Sequence, residues 1–187
     1  MPVDYPQGVY FLTRSTMLHY PYFKRPEEKE ILLEQIRRLH KEKDIQICAY
    51  SIAINHYHMM FYATKDADVS IVKQFMHGGV SFLYRKRYPK TPKNMWGTMK
   101  TLRVWNERMY WNVIAYICGN LLKHREVGTF GELLVNPFSS YGHFAKKYGE
   151  DCMKEGIYKI IDVPEGAEGD VSMEDLKAVH WSGLKSA

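Results

Sequence analysis

The stretch IQICAYSIAINHYHMMFYA, residues 45–63, decides the fold. It is rich in β-branched and aromatic residues, and it is too long for one strand of about five or six residues. Folded at Ile54-Asn55, it predicts an antiparallel hairpin. Upstream, GVYFLTR at 8–14 reads as another strand, entered through Pro6 and Gly8. Pro26 with Glu27 and Glu28 then opens a helix whose Ile31, Leu32, Ile36 and Leu39 keep helical spacing to about residue 43. Downstream, Asp66, Asp68 and Ser70 offer caps to a second helix carrying Val72, Phe75, Met76 and Leu83, weakened in its middle by Gly78-Gly79. A loop with Pro89 and Pro92 precedes a strand at 95–105, and Glu107 opens a third helix running to about Lys123. The order βαββαβα predicts an α+β fold, a ferredoxin/RRM-like antiparallel sheet with helices packed on one face and the other left open.

At 187 residues and 45% hydrophobic composition the chain has the size of one ordinary domain. No apolar run is long enough to span a membrane, and the N-terminus lacks the pattern of a signal peptide, so a cytoplasmic protein is expected. Cys48, Cys118 and Cys152 are odd in number and widely spaced, which predicts reduced thiols. Charge divides the chain. Residues 1–149 hold 22 Lys+Arg against 12 Asp+Glu, a net +10, and residues 150–187 hold 4 against 9, a net −5. The expected organisation is therefore a main domain over 1–149 and an acidic C-terminal extension over 150–187, with 162–172 as a loop or linker.

No acidic residue lies between Asp68 and Glu107, a span that holds Lys73, Arg85, Lys86, Arg87, Lys90, Lys93, Lys100 and Arg103. Tyr84, Tyr88, Trp96 and Trp105 are interleaved with these cations, a composition suited to the phosphates and unstacked bases of single-stranded nucleic acid. A solvated basic face over core aromatics fits the composition equally well.

His56 and His58 alternate on a predicted strand, so both imidazoles point to one face and can share an ion. Eight histidines in 187 residues yield some His-x-His pair by chance roughly one time in three, and a hydrogen-bonded structural pair is the plain alternative. On the third helix, Ile114, Ile117, Cys118 and Leu121 form an apolar stripe. Tyr116, Asn120, Asn112 and Lys123 fall near the opposite side, which predicts that Tyr116 is outside the core. Tyr116 and Asn120 at i and i+4 present a phenol and an amide together, whereas Tyr110 has apolar Ile114 at that offset. An interfacial tyrosine with a bonded hydroxyl remains the bland reading of Tyr116.

Taken together, Asn55-His56-Tyr57-His58 on a strand, Tyr116 with Asn120 on a later helix, and NPFSSY beyond resemble the HUH-type single-tyrosine transposases, especially the REP-associated branch. The resemblance spans roughly residues 8–148. It implies that His56, His58 and Asn120 bind a divalent metal, Mg²⁺ or Mn²⁺, and that Tyr116 is the nucleophile, forming a 5′-phosphotyrosine while cutting and rejoining single-stranded DNA. It also implies a hairpin-forming DNA partner held by basic residues, for which Arg14, Lys73, Arg85, Lys86, Arg87, Lys93, Lys100 and Arg103 are the candidates. Related enzymes act as monomers or as homodimers, and both states stay open. Ile54 and Leu121 stand where the family commonly has Pro. The base for Tyr116 stays open among the metal, Lys123 and other neighbours. Two rivals remain: a non-covalent metal-dependent nuclease, and a binding module of the same fold without catalysis.

Overall fold

A computed structural model describes residues 7–165 and 171–179. Strands β1 (Gly8–Thr16), β2 (Gln46–Ile52), β3 (His56–Ala63) and β4 (Trp96–Val104) form one sheet in the order β2-β3-β1-β4. Every neighbouring pair is antiparallel. The protein is α+β with a ferredoxin-like strand order, as the sequence predicts. The hairpin turns at 53–55, leaving both histidines at the start of β3.

Helix α1 (Pro26–Lys43) and the helical run α2 (Asp66–Lys73), a π turn (Gln74–Gly79) and α3 (Val80–Arg87) lie together over one face of the sheet. The Asp68 carboxylate starts α2 by accepting the Thr64 and Lys65 N–H groups at 2.7 and 2.9 Å. The glycine pair does not break the helix. It widens one turn into the π form, and Gly79 lies so close to α1 that a Cβ would meet Gln35 Oε1 at 2.7 Å. Tyr57 points to this side, buried among His77 and Trp96, with its hydroxyl 2.8 Å from His77 Nε2.

The other face is not open as the sequence predicts. Helix α4 (Glu107–Lys123) covers it over β2 and β3, and α4 is in turn covered on its far side by α7 (Glu150–Ile160) and α8 (Met173–Ala178). Gly119 permits the α7 contact, since a Cβ there would meet Ile157 Cγ2 at 2.7 Å. Short helices α5 (Phe130–Val135) and α6 (Tyr141–Tyr148) complete the connection. No helix among the described residues is long and apolar enough to cross a membrane.

Candidate active site

The site lies between β3 and α4. Strand alternation aims His56 and His58 at α4, with ring centroids 5.0 Å apart and exposures of 3% and 0%. Their antiparallel partners on β1 are Ser15 and Thr13, so the site face of β1 also carries Phe11, whose ring stacks on His58 at 5.6 Å.

Helical spacing on α4 sets Tyr116 and Asn120 one turn apart, both facing the histidines. Asn120 Oδ1 lies 3.1 Å from His56 Nε2, and the Tyr116 ring meets His58 edge-on at 5.1 Å. Tyr116 is 2% exposed and belongs to the core, contrary to the prediction that it lies outside. The reason is tertiary: α4 is buried all round, so its polar side faces another layer instead of solvent. The same burial takes Asn112 away from the site, where its Nδ2 donates to the Leu176 carbonyl at 2.7 Å.

The donor set suits a cation. His56 Nδ1 meets Asn55 Oδ1 at 2.8 Å, so a neutral imidazole donating there turns the Nε2 lone pair toward the Asn120 oxygen. Both nitrogens of His58 are buried without a hydrogen-bond partner, as is Asn120 Nδ2. Burial, with His124 adding to it, pulls His56 down to about 3, and burial and His56 hold His58 well below the ordinary imidazole value, so both imidazoles are neutral near pH 7 and keep a lone pair that a cation could use. Among the described residues no three His, Cys, Asp or Glu side chains gather as a metal group; the set is two imidazoles and an amide.

The residue sequence reasoning missed is Glu165, which arrives from the segment after α7, paired through its backbone to Val171. Tyr116 donates its hydroxyl to Glu165 Oε1 at 2.5 Å, and His124 Nε2 lies 3.3 Å from Oε2. Burial opposes the Glu165 charge, but hydrogen bonds from His124 and Tyr116 outweigh it and hold the carboxyl at about 2. Burial first and Glu165 second push the Tyr116 phenol well above its ordinary value. Lys123 Nζ donates to the Ile161 and Val163 carbonyls, at 2.8 and 2.5 Å, and lies 3.5 Å from Glu165 Oε1. It ties this segment down beside the phenol. No local sequence signal marks Glu165, because the side-chain partners of its carboxylate lie 41 or more positions away.

The fold brings His56, His58, Tyr116 and Asn120 together. It spreads the basic candidates. Lys100 pairs with Thr13 and so shares the histidine face, whereas Arg14 and Arg103 pair with Tyr57 and Tyr10 on the opposite one. Arg14 stacks over Trp96 at 5.7 Å, and Arg103 over Trp105 at 4.5 Å. Arg85, Lys86 and Arg87 end α3, with Arg85 donating to the Lys93 carbonyl at 3.1 Å, and Lys73 ends α2.

Residues 10–114 match the family described as IS200-like transposases, a segment that contains both histidines and stops just short of Tyr116. No curated protein matches the chain. Among solved structures the chain is similar to a REP-associated tyrosine transposase bound to a REP hairpin, at 18% identity and a TM-score of 0.64, covering 91% of this chain and 95% of that one. A protein described as a transposase from Deinococcus radiodurans matches at 18% identity over 63% of this chain and 92% of its own, with a TM-score of 0.46.

Proposed function

Because the chain belongs to the IS200-like transposase family, we propose that it cuts and rejoins single-stranded DNA through a covalent bond to Tyr116. The observation that carries the reading is the convergence of Tyr116 and Asn120 from α4 on His56 and His58 from β3. His56, His58 and Asn120 would hold a divalent ion, Mg²⁺ or Mn²⁺, which when bound supplies Lewis acidity to a phosphodiester. Tyr116 Oη attacks phosphorus; the Oη–phosphorus bond forms, the bond to the 3′ oxygen breaks, and the proton lost at Oη is balanced by one gained at the 3′ hydroxyl. The phosphoester is conserved in the 5′-phosphotyrosine, so rejoining needs no external energy source.

The partner is hairpin-forming single-stranded DNA, by analogy with the hairpin-bound protein of similar fold, and the place of action is the cytoplasm. Residues 1–149 form the catalytic domain and 150–187 an acidic extension, of which α7, Glu165 and α8 pack against that domain. Arg14, Lys73, Arg85, Lys86, Arg87, Lys93, Lys100 and Arg103 remain the DNA-contact candidates, with Lys86 and Arg87 exposed at the end of α3.

Incubation with hairpin-bearing single-stranded DNA and Mn²⁺ is expected to yield a protein–DNA adduct that survives denaturing electrophoresis. Tyr116→Phe should abolish both adduct and cleavage. Cleavage that persists in Tyr116→Phe would instead identify a water-using nuclease.

A further inference from the structure

An open groove of about 830 Å³ lies away from the metal-ligand candidates, between the 3-10 turn Met17–His19 that follows β1 and the loop joining α3 to β4. Its wall is a ladder of tyrosines. Tyr20 and Tyr22 rings are 4.6 Å apart, Tyr22 meets Tyr84 at 5.6 Å, and Tyr84 meets Tyr88 at 4.7 Å. Arg87 and Lys90 stand on the rim, and no carboxylate lines the groove among the described residues. The side chains are exposed where a ligand would meet them: Tyr20 is 60% and Leu18 90% accessible.

The rim is held, not loose. Leu18 and His19 occupy the left-handed region in succession, with φ of 52° and 54°. For non-glycine residues that conformation is strained and persists only where surrounding bonds enforce it. Three bonds enforce it here: Thr16 Oγ1 donates to the Tyr20 carbonyl at 2.7 Å, the Met17 N–H to the Met95 carbonyl at 2.9 Å, and Asn55 Nδ2 to the His19 carbonyl at 3.3 Å. Asn55 also accepts at His56 Nδ1, so a single side chain ties the groove to the first of the paired histidines.

Aromatic faces beside cations, with no acid anywhere from 69 to 106, favour a flat, apolar ring attached to an anionic backbone. We propose that this groove takes an unpaired nucleobase of the single-stranded DNA, stacked on the exposed Tyr20 ring, with its phosphate met by Arg87 and Lys90. This rests on the DNA reading above and adds to it a place, apart from the paired histidines, where one unpaired base of the strand is held.

Binding without metal separates the groove from catalysis. The full chain is titrated into a short, mixed-sequence, fluorescein-labelled oligodeoxynucleotide in chelator, followed by anisotropy, with the same sequence as duplex in a parallel series. Tyr20→Ala should weaken single-strand binding by about tenfold, the loss of one stacked base. Tyr20→Phe should retain the affinity, duplex binding should be unmoved, and Arg87→Ala should lower the single-strand salt slope by about 1. A Tyr20→Ala loss under about twofold, or an equal loss on duplex, overturns the nucleobase groove while leaving the Tyr116 reading intact. If the unsubstituted chain binds no single-stranded DNA in chelator, the groove proposal fails, and the Tyr116 reading is decided by its own adduct assay with Mn²⁺ and hairpin DNA.

Discussion

The phenol of Tyr116 donates to Glu165 Oε1, so the oxygen proposed to attack phosphorus already has a partner. That partner is an anion held ionised by its own hydrogen bonds, and it favours the protonated phenol. A carboxylate standing there also repels an incoming phosphate. Removing its charge with Glu165→Gln should speed adduct formation by about tenfold, the equivalent of one pKa unit at Oη. The rate at which labelled DNA becomes linked to protein on denaturing gels measures this. A slower reaction in the variant would mean that the carboxylate assists the attack.

Element by element, the two departures from the family's usual prolines find their reasons in the turn before β3, for Ile54, and at the end of α4, for Leu121. The Ile54 N–H donates to Glu126 Oε1 at 2.7 Å, a bond proline could not make, and Glu126 Oε2 pairs with Lys29 Nζ at 2.5 Å. Both side chains of that ion pair are about one-tenth exposed, so α1, the hairpin turn and the chain after α4 are locked at one buried point. Leu121, where proline is common, lets α4 run on to Lys123 and bring Lys123 and His124 to Glu165. Glu126→Ala should cost roughly 3 kcal/mol of folding stability, because it strands a buried ammonium and an unpaired N–H. Urea unfolding with an unchanged slope would measure it. A loss below about 1 kcal/mol would show that the turn holds without the pair.

For the molecule as a whole, helices on both sides of the sheet bury three imidazoles. Burial is the leading cause holding His56 and His77 at about 3, and His58 is held well below its ordinary value. The sign follows from the depressed values. Unfolded imidazoles gain protons below about 6.5 while the folded ones resist, so stability is complete above that pH and drains away as pH falls toward 3. The effect on His56 alone is about 2 kcal/mol at pH 5. The thermal midpoint of the metal-free protein should therefore drop between pH 7 and pH 5. A flat profile over that window would mean that the rings are open to solvent. The lowered Glu165 carboxyl acts only further down, losing its contribution as pH falls from about 4.5 to about 2.

Period and punctuation were enough to place the main strands and the first helices, since strand alternation and helix-start residues act locally. The same local geometry put His56 with His58 and Tyr116 with Asn120, because two residues along a strand, or four along a helix, return to one face. Helices α5 to α8 escaped, since α5, α6 and α8 are only six to eight residues long and all four are held by docking onto the rest of the chain. Whether Tyr116 meets water or protein, what Glu165 touches, and which basic residues share a face depend on layers packed across dozens of positions. A helix's apolar stripe shows which side must be buried, but only the packed layers decide whether the polar side is buried as well.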